Sequence, residues 1–150
     1  MGKLAGQICQ AMTDEQINEL ADNLDCGLRC YVHRETGTIV TIPDSAFEMG
    51  NDSVEFWKDS IKEIKKNVDS YVEIKEMDSR ESFRLMEDFI GTVENERLRD
   101  KLDQALSRPK PFWNFKFEVD NSGPYRQKWF DFKKQQLIEW VKRQLTVNHL

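Results

Sequence analysis

Leu28-Arg29-Cys30-Tyr31-Val32-His33-Arg34-Glu35-Thr36-Gly37-Thr38-Ile39-Val40-Thr41-Ile42-Pro43 is the stretch on which the fold class turns. Leu28 to His33 alternates apolar and polar residues as a half-buried strand does, and Cys30 falls in phase with Leu28 and Val32 as a small core-facing residue. Glu35-Thr36-Gly37-Thr38 turns the chain, Ile39 to Ile42 returns it, and Pro43 closes the hairpin. A further β-prone run, Tyr71 to Lys75, predicts a third strand paired with this hairpin. So small a sheet needs helices against it to be stable.

Those helices are announced by their starts. Thr13-Asp14-Glu15-Gln16 reads as a capping box ahead of a stripe formed by Ile17, Leu20, Ala21 and Leu24, with Cys26-Gly27 as the stop. Asp44 to Asp52 reads as a loop, and Asp52-Ser53-Val54-Glu55 as a second box leading a helix with Trp57, Ile61, Ile64 and Val68 inward. Its lysines, Lys58, Lys62, Lys65 and Lys66, interleave with Asp59 and Glu63 as a solvated face. Asp78-Ser79-Arg80-Glu81 opens a third helix carrying Phe83, Met86, Phe89, Ile90 and Val93, and Asn95 caps a fourth carrying Leu98, Leu102, Ala105 and Leu106. This pair is expected to be bent and packed on the sheet.

Pro109 and Pro111 break the chain, and Phe112, Phe115 and Lys116 begin a new element whose spacing recurs as Trp129, Phe132 and Lys133. Pro124 starts a terminal helix over Tyr125 to Leu145. Its projection gathers Lys128, Asp131, Gln135, Glu139 and Lys142 into a polar sector opposite Tyr125, Trp129, Phe130, Phe132, Leu137, Trp140 and Val141. The fold class is therefore α+β: a small antiparallel sheet of about three strands covered by five or six helices, with the last helix docking through Trp129 and Trp140. The chain's 150 residues suffice for one domain, read as 1–150 with 1–12 and 146–150 loosely ordered.

Composition bounds the function. Residues 105–150 hold nine of the sixteen aromatics and nine Lys/Arg against four Asp/Glu, whereas residues 1–104 hold thirteen Lys/Arg against twenty-three Asp/Glu. The two parts stand at +5 and −10, so an aromatic, basic end either folds onto an acidic body or faces an anionic partner. No apolar run approaches the roughly twenty residues needed to cross a bilayer, and Met1 to Met12 lacks a secretion-signal block, which points to a cytoplasmic protein without membrane contact. Three cysteines, Cys9, Cys26 and Cys30, fit a reducing compartment. Cys26, Cys30 and His33 could be assembled into a metal set, but the four ligands and short Cys spacing of structural zinc are missing, so no metal and no cofactor is expected.

Phosphate-cradling glycine loops and a serine elbow are both missing, Glu87 and Asp88 are helix neighbours pointing apart, and His33 and His149 have no evident partners, so no catalytic residue is assigned. A small-molecule enzyme ranks third. First stands a non-catalytic protein-interaction or regulatory domain with a protein partner. Second stands binding of RNA or single-stranded nucleic acid, in which rings stack on bases and cations meet phosphates; the candidate surface for either is Trp113, Phe115, Lys116, Arg126, Lys128 and Lys133.

Thr36-Gly37 after a strand, Met86 with Phe89 and Ile90, Leu102 with Ala105 and Leu106, Phe112-x-x-Phe115-Lys116, Trp129-x-x-Phe132-Lys133 and Trp140 together resemble a bacterial uncharacterised protein family, number 158 of the UPF series. The resemblance runs from about Leu28 to Leu145 and departs from the family's glycine-rich link at Pro109 and Pro111. It implies a bacterial, cytoplasmic single domain and carries over no catalytic residues.

Overall fold

The computed structural model describes residues 12–48 and 52–150, with side chains outside 47–55. Cys9 and the side chains of the expected box at Asp52 to Glu55 lie outside the described residues. In chain order the elements are α1 (Asp14–Asp25), β1 (Leu28–His33), β2 (Ile39–Pro43), α2 (Ser45–Glu48), α3 (Asp52–Lys66), β3 (Tyr71–Ile74), α4 (Ser79–Ile90), α5 (Glu96–Ser107), α6 (Pro111–Asp120) and α7 (Pro124–Val147). The class is α+β, with a three-stranded antiparallel sheet ordered β2-β1-β3. The chain divides into two compact units, Met1–Glu76 with Leu137–Leu150, and Met77–Gln136.

In the first unit, the Thr13 hydroxyl accepts from the Gln16 amide N–H and the Gln16 side chain accepts from the Thr13 N–H, which starts α1. Gly27 at φ +80 ends it, a left-handed conformation that costs other residues about 1 kcal/mol. Ile17, Leu20, Ala21 and Leu24 are all buried. Register pairs Cys30 with Ile74 and Val32 with Val72, so these four buried side chains share one sheet face. Tyr31, on the alternate face, joins Ile42, Ala46 and Ile64, with Val40, Trp57, Ile61 and Tyr71 packed around them. Central β1 is thus buried on both faces.

The hairpin turn is held by His33, whose Nδ1 accepts from the backbone N–H of Glu35 (3.1 Å) and Thr36 (3.3 Å) while its ring meets Tyr71 edge-on at 5.0 Å. The expected loop after Pro43 contains the short helix α2. Val68, read as an inward position of α3, is 64 % exposed because α3 stops at Lys66 and Val68 opens a 3-10 turn, which changes its direction. The lysine face of α3 is exposed as its pattern requires. Where β3 ends, α7 completes the backbone pairing. Gln144 accepts from the Lys75 N–H (2.9 Å) and donates to the Lys75 carbonyl (2.7 Å), to which the Trp140 indole N–H also donates (2.7 Å). The chain end is tied as well, with the Asn148 carbonyl accepting from Arg34 at 3.3 Å.

In the second unit the Asp78–Glu81 box is formed reciprocally, and Asn95 accepts from the Leu98 N–H at 3.0 Å. The buried cluster of this unit joins α4 and α5 with α6 and α7: Leu85, Met86, Phe89, Ile90, Val93, Leu98, Leu102, Phe115, Val119 and Trp129. Phe89 is its hub, meeting Trp129 at 5.2 Å, Phe132 at 5.5 Å and Phe115 at 6.4 Å. Along α7 the projected polar sector is exposed throughout, and the opposite arc is buried or half-buried, Trp129 fully and Trp140 partly.

Candidate functional site

The second unit carries its most exposed rings on α6. Pro111 occupies the first helical position, where its missing N–H costs nothing. Lys110, between two prolines, caps the helix in the left-handed region at φ 58, and the Asn114 side chain fixes the turn by donating to the Pro109 carbonyl at 2.9 Å. A non-glycine residue there carries backbone strain of about 1–2 kcal/mol. Phe115 and Val119, one turn apart, point into the core at 1 % exposure each. Around the rest of the helix lie Phe112 (43 % exposed), Trp113 (64 %) and Phe117 (53 %). Trp113 and Phe117, four residues apart on one face, stack in parallel at 5.7 Å and 11°.

Of the six residues expected to form a surface, the structure joins some and disperses others. Trp113 and Lys116 lie on the exposed arc of α6. Lys116 reaches Asp120 at 3.5 Å, and Asp120 also takes Arg126 at 3.3 Å, so Arg126 is brought to the end of the same arc. Arg126 lies 4.7 Å over Phe130 and Lys128 lies 4.7 Å over Tyr125. Lys133 is half-buried, 5.7 Å from Trp129 and 5.9 Å from Phe130, its stem running past the rings. Phe115 does not belong to a surface: it is core, because its position on α6 faces Trp129 at 4.9 Å. The surface gains Phe112 and Phe117, and the four-residue spacing of Trp113 and Phe117 was the available signal. The echo between Phe112/Phe115 and Trp129/Phe132 has no common placement, since Phe112 is exposed whereas Trp129 is buried.

Residues 108–134 carry seven Lys/Arg against three Asp/Glu, so the arc sits in a cationic segment of a chain whose net charge is −5. Asp120 is shared between two of those cations.

Concavities lie elsewhere among the described residues. One, of about 390 Å³ in the first unit, is lined by Gly27, Leu28, the Arg29–Asp44 ion pair and Glu73 to Glu76. The Asp44 carboxylate, with Tyr31, raises the already high pKa of Arg29, while burial raises that of Tyr31. Another, of about 310 Å³ in the second unit, includes Arg97, Lys101, Glu118 and Tyr125. Neither holds a histidine or cysteine. Cys30 is buried and its thiol is pushed up to about 12 by desolvation, then by Glu19 and Glu73, which makes it inert as a nucleophile; Cys26 is exposed. His33 spends Nδ1 on the hairpin turn. Among the described residues no three His, Cys, Asp or Glu side chains gather as metal ligands, and no helix is long and apolar enough to cross a membrane.

Fold and surface together describe a small α+β protein whose most prominent chemical feature is an exposed aromatic helix face. The chain belongs to the uncharacterised protein family UPF0158, which it matches over residues 10–150. No curated protein and no solved structure matches it significantly.

Proposed function

We propose that this protein is a non-catalytic interaction module of the bacterial cytoplasm, with the outer arc of α6 as its contact surface for a protein partner. One observation carries the reading: three large rings stand 43 to 64 % exposed on a single helix whose other side is fully packed. Rings of this size contribute strongly to association when covered, and exposed clusters of them mark contact sites. The test is comparative capture from the source cell with the wild-type chain and with a Trp113→Ser/Phe117→Ser variant. The expected result is an unchanged fold, with the wild-type partners lost from the variant. Identical recovery with both chains would remove α6 as the contact surface.

A second reading, single-stranded RNA, is favoured by the parallel Trp113–Phe117 stack beside Lys116 within a locally cationic segment. Its expectation is retention on a mixed RNA pool that weakens steeply with added salt and disappears in the same variant. No retention at low salt refutes it.

A further inference from the structure

The outer arc of α6 has a property that a one-sided docking face does not need: it is self-complementary. Lys110 stands at its N-terminal end and Asp120, which also holds Lys116 and Arg126 of its own chain, at its C-terminal end, both exposed, with Trp113 and Phe117 symmetrically between them about position 115. Each of the two charges is placed against its own helix, a cation at the positive end of the macrodipole and a carboxylate at the negative end. In an antiparallel pair of α6 helices both relations reverse. Lys110 meets the C-terminal end and Asp120 of the other copy, and Trp113 meets Phe117 of the other copy. A parallel pair would set like charges side by side.

From this we infer that the partner of the α6 face is a second copy of this chain, bound as a two-fold antiparallel α6–α6 pair. The inference rests on the interaction reading above and names the partner. A two-fold contact closes on itself, so it yields a dimer and not a filament. Its size is modest. Trp113 and Phe117, of about 150–250 Å² each, at their observed exposures offer roughly 230 Å² per copy, against about 800 Å² in a standard stable interface. The dimer is therefore expected to be weak and concentration-dependent.

Sedimentation velocity on the full chain, from about 5 µM to about 500 µM, reads this directly. The mass should rise with concentration from 17.7 kDa toward twice that value. Trp113→Asp sets two carboxylates at the centre of the contact and should leave a monomer with unchanged circular dichroism and melting. Lys110→Glu and Asp120→Lys should each weaken the dimer, because each change counts twice across the two-fold axis. The double variant should recover it. A wild-type monomer at every concentration, a dimer that survives Trp113→Asp, or singles that weaken the dimer without recovery in the double would each overturn the inference. If the wild type is monomeric while capture from cells still depends on Trp113 and Phe117, self-association fails and the interaction reading stands. If instead a monomer binds RNA through these rings, the face belongs to nucleic acid and the inference fails.

Discussion

Replacing Trp129 by Ala separates a core ring from a surface ring. The indole is 8 % exposed, meets Phe115 at 4.9 Å and Phe89 at 5.2 Å edge-on, and lies parallel to Phe132 at 6.4 Å. About 200 Å² of buried aromatic surface at roughly 25 cal/mol per Å² gives about 5 kcal/mol. The β-carbon that alanine keeps lowers this, and the lost edge contacts and the cavity among rigid rings raise it again. The expected destabilisation is about 4 kcal/mol, within the range known for large aromatic truncations. Urea unfolding followed by far-UV circular dichroism should show a lower midpoint with a similar slope. At about 2–4 °C per kcal/mol for a chain of this size, melting should fall by about 10 °C. Trp113→Ala is the matched control: a ring of the same kind at 64 % exposure, whose loss should stay within about 0.5 kcal/mol. A Trp129→Ala loss below about 1 kcal/mol, or equal losses at the two positions, would refute the assignment of core and surface.

Three other substitutions probe the first unit. Cys26 should react with a thiol reagent in the native protein while Cys30 does not, and stability should fall as pH rises from about 9 toward 12. That sign follows because the folded state holds Cys30 neutral up to about 12, whereas the unfolded thiol ionises near its ordinary 9.0; Cys30→Ala should make the alkaline fall shallower. At the end of β3, Trp140→Phe removes one of two donors to the Lys75 carbonyl and should cost about 1 kcal/mol without changing exchange of the Lys75 amide. Gln144→Ala removes the acceptor of that amide and should accelerate its exchange; protection unchanged in Gln144→Ala would contradict the clamp.

The sequence by itself determined the elements. Capping residues act within one turn and alternation acts within one strand, so the starts at Thr13, Asp78 and Asn95, the hairpin at Glu35 to Thr38 and the two sides of α7 were all legible from local pattern. The place of each ring on α6 was not. Apolar residues occur all round that helix, so its periodicity marks no inner side. Phe115 becomes core and Trp113 surface only because Phe89 and Trp129, twenty-six residues before and fourteen after Phe115, present the surface that α6 packs on. The same holds at Lys75, whose backbone groups are satisfied by Trp140 and Gln144, more than sixty residues later. Local propensity specifies which residues share a side of an element. Which side is buried is decided by the partner that tertiary packing brings to it, and that partner is distant in the chain.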